Sequence, residues 1–115
     1  MEMTDAVRAL DALAQETRLS IFRALVRASS RKTGEGGLAA GAIGAELGVS
    51  PATLSFHLKE LANADLVTSR REGRSIIYTA NFDAMRGLLG FLLEDCCQGA
   101  CNVAVVRRQR AKAYA

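Results

Sequence analysis

The tight turn at Gly48-Val49-Ser50, set between two helical patterns, constrains the fold of this chain more than any other feature. Apolar residues recur at helical spacing from Leu38 to Leu47, which predicts a helix there. The serine of the turn is a favourable N-cap, and Pro51 suits the first position of a following helix. The sequence therefore predicts a second helix over 51–64, and a helix-turn-helix over about 39–64.

Two further helical patterns precede this unit. Residues 4–15 and the segment from Leu19 to Val26 each place apolar side chains on one face, and Thr4 or Asp5 is expected to cap the first of these helices. A polar, glycine-bearing loop over 29–37 follows. The apolar face of the first helix is expected to consist of Val7, Leu10, Leu13 and Ala14.

The segment after the helix-turn-helix has the pattern of two short strands. They are predicted over 66–71 and 74–79, on either side of Glu72-Gly73, which suits a two-residue hairpin turn. We therefore expect a small β-hairpin over 66–80 in an otherwise mainly α fold.

A last helix is predicted over 82–98, with Asn81 or Asp83 as its cap and Gly99 as its end. Its apolar stripe is wider than a monomer of this size needs. At 115 residues the chain fits one compact core. We therefore predict a single domain over 1–115.

Composition and charge limit the class of protein. Half of the residues are hydrophobic and 23% are charged, which is a globular balance. The apolar stretches are too short for a membrane span and the N-terminus lacks a secretory pattern, so we expect a soluble, cytoplasmic protein with no membrane partner. The net charge of +3 permits nucleic-acid binding without establishing it. The placement of the charge is more informative, because basic residues crowd the hairpin and a tail over 102–115.

The helix after the turn and the hairpin together suggest DNA binding. A helix that enters a major groove must be slim at its N-terminal end and carry short polar groups. Arginines at a tight turn form a cationic finger that suits phosphates or a minor groove. Either element alone fits ordinary solvated surface equally well, but their order along the chain favours DNA. The candidate DNA-binding residues are Ser50, Pro51, Ala52, Thr53, Ser55, Phe56, His57, Lys59, Arg70, Arg71 and Arg74.

His57 is the only histidine of the chain. Its position beside Leu58 on the predicted second helix favours a phosphate contact or an internal hydrogen bond. A metal site built from several imidazoles is excluded within one chain, because no second histidine exists.

All three cysteines, Cys96, Cys97 and Cys101, lie close together near the end of the last predicted helix. Arsenite and antimonite take three thiolates in a pyramidal arrangement, and thiolates select soft ions. Cys97 and Cys101 are about one helical turn apart, and a helix that ends at Gly99 lets Cys101 fold back. The sequence therefore predicts a site for As(III) or Sb(III) formed by the three thiols, and no organic cofactor.

Other interpretations of the cysteine cluster remain open. A zinc or cadmium sensor is less favoured because zinc usually takes four ligands. A thiol redox sensor is the stronger rival. A small thiol enzyme is least favoured, because Glu94, Asp95 and the negative end of a helix disfavour a reactive thiolate. We therefore expect that the chain is not an enzyme.

Three segments of the chain resemble the ArsR/SmtB family of metalloregulatory repressors. Residues 12–22 are similar to its second-helix signature, residues 47–59 to its recognition helix with the Ser-x-His-Leu element, and residues 70–78 to its wing with Arg-Glu-Gly-Arg. The resemblance covers roughly residues 5–97. It implies a winged helix-turn-helix homodimer on two-fold-symmetric operator DNA, with the first helix and the helix over 82–98 at the dimer interface.

The cysteine cluster resembles that of arsenic-responsive members of the same family. Those members carry a vicinal cysteine pair and a third cysteine near the end of the last helix. The resemblance implies a repressor that is released from its operator when As(III) binds the thiols. Asp65 stands where the family commonly has glycine, which indicates a left-handed backbone position that Asp tolerates.

Overall fold

The computed structural model describes residues 1–29 and 36–94 of the chain. The cysteine cluster and the basic tail, both singled out in the sequence, lie outside the described residues. Within them the elements are α1 (Met3–Leu13), α2 (Glu16–Ala28), β1 (Leu38–Ala39), α3 (Ala40–Leu47), α4 (Pro51–Asn63), β2 (Val67–Glu72), β3 (Ser75–Ala80) and α5 (Phe82–Leu92). The predicted mainly α fold with a helix-turn-helix and a following hairpin is confirmed.

The sheet is larger than the predicted hairpin. It has three antiparallel strands in the order β1-β3-β2. Leu38 pairs with Tyr78 and Ala39 pairs with Ile77. The assignment of Leu38 and Ala39 to a helix was therefore wrong. A strand of two residues is too short to show a period, and only its pairing with the edge of β3 defines it.

The hairpin turn lies one residue later than predicted. Glu72 pairs with Ser75, so the turn residues are Gly73 and Arg74 rather than Glu72 and Gly73. Gly73 has φ +62, and a positive φ at the first turn position is the requirement that glycine meets in a type II′ hairpin turn. As a result Arg71 lies opposite Ile76.

The buried residues of α1 are small. Ala6, Ala9 and Ala12 are buried, whereas Val7 is 56% exposed and Leu10 is also exposed. Of the predicted apolar face, Leu13 packs against the core but Val7 and Leu10 do not pack in this protomer. Three alanines let α1 approach closely, and the larger apolar side chains are left on its outer surface.

Two helix ends differ from the predictions. The N-cap of α1 is Glu2 rather than Thr4 or Asp5, and the Glu2 backbone N–H donates to Asp5 Oδ2 at 3.2 Å. Helix α5 ends at Leu92, earlier than the predicted end at 98. Glycines within α5 each cost about 1 kcal/mol relative to alanine, and acidic residues are unfavourable near a helix C-terminus.

Asn81 joins the end of α4 to the start of α5. Its Oδ1 accepts a hydrogen bond from the Ala84 backbone N–H at 3.2 Å, which confirms it as the cap of α5. Its Nδ2 donates to the Asp65 carbonyl oxygen at 2.8 Å. Asp65 has φ +62, so the predicted left-handed position is confirmed. This connection fixes the hairpin and α5 relative to α4.

Candidate nucleic-acid interface

Three buried leucines decide which side of α4 faces outward. Leu54, Leu58 and Leu61 lie in the core. The opposite side of the helix is a row of exposed residues at helical spacing. We call this row the reading face, and it consists of Ala52, Phe56, Lys59 and Asn63.

The N-terminal end of α4 presents small hydrogen-bonding groups. Ser50 is the N-cap residue, as predicted, but its side chain makes no capping bond to the backbone. Instead its Oγ donates to Thr53 Oγ1 at 3.0 Å. Because Thr53 Oγ1 accepts this bond, its own hydroxyl hydrogen can point to another acceptor. The N–H groups of Ala52 and Thr53 have no intrahelical acceptor, so this helix end suits a phosphate.

Phe56 supplies the largest apolar surface of the reading face. The residue is 56% exposed. Its ring centroid lies 5.5 Å from that of His57, and the two ring planes meet at 62°, in an edge-to-face arrangement. The phenyl ring therefore packs against the buried His57 and remains more than half exposed to solvent.

The structure removes His57 from the candidate DNA-binding residues. Its position one residue after Phe56 puts it on the inner side of α4, where it is only 8% exposed. Its Nδ1 lies 3.2 Å from Nη1 of Arg18 in α2. Of the two roles predicted for His57, the internal hydrogen bond is the one that the structure contains.

The three arginines of the hairpin differ in their surroundings. Arg70 is half-buried and its Nε lies 2.6 Å from Glu72 Oε2, so its charge is partly offset. Arg71 and Arg74 are exposed and form no ion pair with any other residue that the structure describes. The free positive charge of the hairpin therefore comes from Arg71 and Arg74.

Two residues of this region were not among the sequence candidates. Asn63 belongs to the reading face two turns after Phe56, and helical spacing could have identified it. Arg18 holds His57 from 39 positions away in the chain, and no local pattern indicates that contact. The remaining candidates on α4 (Pro51, Ser55 and Lys59 among them) are exposed as expected.

A second exposed surface lies on the helices at the two ends of the described chain. Helix α1 packs against α5. Large apolar side chains remain exposed on both helices, and we call them the apolar outer faces: Met3, Val7 and Leu10 of α1, and Leu89 and Leu92 of α5. Apolar side chains grouped in this way on a small domain mark an interaction surface.

Within residues 1–29 and 36–94, no cluster of at least three His, Cys, Asp or Glu side chains is arranged to hold a metal ion. None of the helices in the same ranges combines the length and the apolar character that crossing a membrane requires. The predicted thiol site lies outside these ranges.

The fold and the reading face define a winged helix-turn-helix protein, in which α3 and α4 form the helix-turn-helix and β2 and β3 form the wing. A family model described as a helix-turn-helix domain matches residues 13–70. The chain belongs to this helix-turn-helix family.

One relative of known name is the nodulation protein NolR of Rhizobium meliloti. It is 35% identical over 83 residues, which are 72% of this chain and 62% of that protein. The chain thus aligns with less than two thirds of the length of this relative. The relatives found are transcriptional regulators and not enzymes.

Solved structures with the same fold include ArsR-like regulators. An ArsR-like transcriptional regulator from Rhodococcus sp. RHA1 is 25% identical, with a TM-score of 0.67 over 96% of this chain and 90% of that chain. The homodimeric winged helix-turn-helix DNA-binding domain Mb0332 from Mycobacterium bovis, described as a possible ArsR-family regulator, is 29% identical, with a TM-score of 0.63 over 80% and 77%. A possible transcriptional regulator for arsenical resistance is 25% identical, with a TM-score of 0.61 over 73% and 79%.

Proposed function

We propose that this chain is a cytoplasmic, homodimeric transcriptional repressor that binds operator DNA through α4 and the wing. One observation carries the proposal: the reading face of α4 is exposed and the wing that follows carries cationic side chains that form no ion pair with any described residue. An exposed, slim helix followed by a basic hairpin has the properties that a major groove and its flanking phosphates require.

Each part of the surface has a role in this proposal. The N-terminal turn of α4 enters the major groove, where the hydroxyls of Thr53 and Ser55 reach base edges or phosphates. Lys59 binds a phosphate one turn further along the helix. Arg71 and Arg74 bind the backbone or the adjacent minor groove.

Dimerisation is proposed to occur through the apolar outer faces of α1 and α5. Burying Val7, Leu10, Leu89 and Leu92 against the same residues of a second chain would remove four exposed apolar side chains from water. The related Mb0332 domain is described as homodimeric, which supports a dimer as the proposed state. Two copies of α4 would then meet successive major grooves, about 34 Å apart, on a two-fold-symmetric operator.

The inducer is proposed to be As(III), with Sb(III) as its chemical analogue. The donor set fits, because Cys96, Cys97 and Cys101 are soft thiol ligands and no other cysteine competes with them. Three thiols that replace the three hydroxyls of arsenous acid form three As–S bonds and release three water molecules. The related regulator described for arsenical resistance supports this choice of ligand.

Ligand binding is proposed to act through the dimer interface. The cysteines follow α5 in the chain, and α5 carries one of the apolar outer faces. A change in the path of the chain after α5 would alter how the two protomers meet and therefore the spacing of the two α4 helices. A coupling free energy of about 1–3 kcal/mol between two binding sites is typical of allosteric proteins. Between inducer binding and DNA binding, it would lower operator occupancy severalfold or more.

The DNA-binding part of the proposal is tested by selection from a random pool of duplexes, followed by gel shift. We expect a two-fold-symmetric sequence to be enriched. The variant Lys59→Ala should weaken binding to it, whereas Arg23→Ala, an exposed charge on α2, should not. If no sequence is enriched over the starting pool, the repressor proposal is wrong.

The inducer part is tested by titrating arsenite against the operator complex in the presence of a thiol reductant. We expect release of the wild-type protein and retention of Cys96→Ser, Cys97→Ser and Cys101→Ser, with Gln98→Ser as the matched control that is still released. Release by an oxidant but not by arsenite would support a redox sensor instead. Release by zinc or cadmium alone would support the zinc and cadmium alternative.

A further inference from the structure

We propose that α4 selects its DNA site through the methyl groups of thymines, and that Phe56 is the residue that reads them. This inference rests on the proposed DNA-binding function and adds to it the class of base that the reading face recognises. Three observations carry it: the residue types on the first two turns of α4, the position of Phe56, and the charges around it.

The first two turns of α4 lack the side chains that usually read guanine and adenine. Guanine is read by Arg or Lys and adenine by Asn or Gln, each through paired hydrogen bonds. From Pro51 to Phe56 the exposed residues are small, hydroxyl-bearing or apolar. Thr53 and Ser55 can donate to or accept from any base, so their hydroxyls discriminate weakly. The residues from Pro51 to Phe56 must therefore distinguish between bases mainly through apolar contact with them.

The position of Phe56 makes it the main source of that contact. It lies on the reading face one turn after Ala52 and one turn before Lys59. With 56% of its surface exposed, it offers far more apolar area than the methyl group of Ala52. Its ring packs against that of His57, and His57 is in turn held by Arg18. The ring is therefore partly ordered before any DNA is bound.

Thymine is the base that fits an apolar side chain in the major groove. Its C5-methyl group is the distinctive apolar group displayed there, and side chains such as Phe contact it. Lys59, one turn further along, would bind a phosphate and fix how deeply the helix enters. A protein partner is a poorer fit for the same ring, because Lys59 lies one turn away on the same face and lysine is depleted at protein–protein interfaces.

The test compares thymine with deoxyuridine, which differs only in lacking the methyl group. A duplex selected by the wild-type protein from a random pool is resynthesised with each thymine of one half-site replaced in turn. At one position we expect wild-type binding to weaken about fourfold, the loss that one buried methyl group produces. Phe56→Ala should bind both duplexes equally, and Phe56→Leu should keep part of the difference.

The control variant is Arg23→Ala, which changes an exposed residue of α2 outside the reading face and should retain the full thymine preference. If the pool yields no preferred sequence, the DNA-binding proposal fails. If a sequence is preferred but no thymine replacement weakens wild-type binding, only the present inference fails. The same holds if Phe56→Ala keeps the wild-type ratio, because another residue would then read the methyl group.

Discussion

The guanidinium of Arg18 in α2 donates a hydrogen bond from Nη1 to Nδ1 of His57 in α4, across 3.2 Å. Arginine has no acceptor, so Nδ1 of His57 must accept and the ring proton must lie on Nε2. The same guanidinium donates from Nε to the Ala12 carbonyl oxygen at 2.7 Å. One side chain thereby joins the end of α1, the start of α2 and the inner side of the recognition helix.

Removing this connection should destabilise the protein. Arg18→Ala leaves the buried His57 and the Ala12 carbonyl without their donor, which should lower the free energy of unfolding by about 1–3 kcal/mol. Urea unfolding followed by circular dichroism measures the difference, with Arg23→Ala on the exposed side of α2 as the control. Equal midpoints for the two variants would show that the bond to His57 adds nothing to stability.

The arginines of the wing should contribute unequally to DNA binding. Arg74→Ala should lower the slope of log K against log salt concentration by about one for each phosphate contact that is lost. Arg70→Ala should change the slope less, because Glu72 already offsets the charge of Arg70 at 2.6 Å. Binding titrations at several salt concentrations measure both slopes. A larger effect for Arg70 than for Arg74 would contradict the proposed division of roles.

Two glycines near the start of α3 should respond to alanine in opposite directions. Gly37 has φ +98, and a Cβ there would lie 2.2 Å from the Tyr78 carbonyl oxygen. Gly37→Ala should therefore destabilise the protein by about 2 kcal/mol or more. Gly41 is helical with open space around it, so Gly41→Ala should stabilise by about 0.5–1 kcal/mol. Thermal unfolding of both variants is the measurement, and a stabilising Gly37→Ala would disprove the close approach to β3.

The apolar outer faces should determine the oligomeric state. Val7→Glu places a charge at the centre of the α1 face, and we expect it to shift the dimer toward monomer, because a buried unpaired carboxylate is costly. Leu19→Glu alters an exposed leucine of α2, outside these faces, and should leave the dimer intact. Sedimentation equilibrium over a range of concentrations distinguishes the two. A monomeric wild-type protein would contradict the proposed interface directly.

Local patterns predicted most of the helices and offered Asn81 as a candidate cap of α5, because these features depend on neighbouring residues. These local patterns gave wrong predictions where contacts with another part of the chain determine the structure. Leu38 and Ala39 become a strand only by pairing with β3, and the hairpin register depends on which residue can take a positive φ at the turn. The burial of Ala6, Ala9 and Ala12 in place of Val7 and Leu10 also follows from packing against other elements.

The sequence by itself determined the order of the helices and the hairpin, the exposed side of α4 and the presence of a thiol cluster, since turn residues and apolar spacing act over a few positions. Only the tertiary structure decided that His57 faces inward to Arg18, that Arg70 is paired while Arg71 and Arg74 are free among the described residues, and that α1 turns its larger apolar side chains outward. The contact of His57 with Arg18 and the packing of α1 depend on distances between segments far apart in the chain, which apolar spacing does not reveal. The Arg70–Glu72 pair depends instead on the strand geometry that places residues two apart on one face of β2.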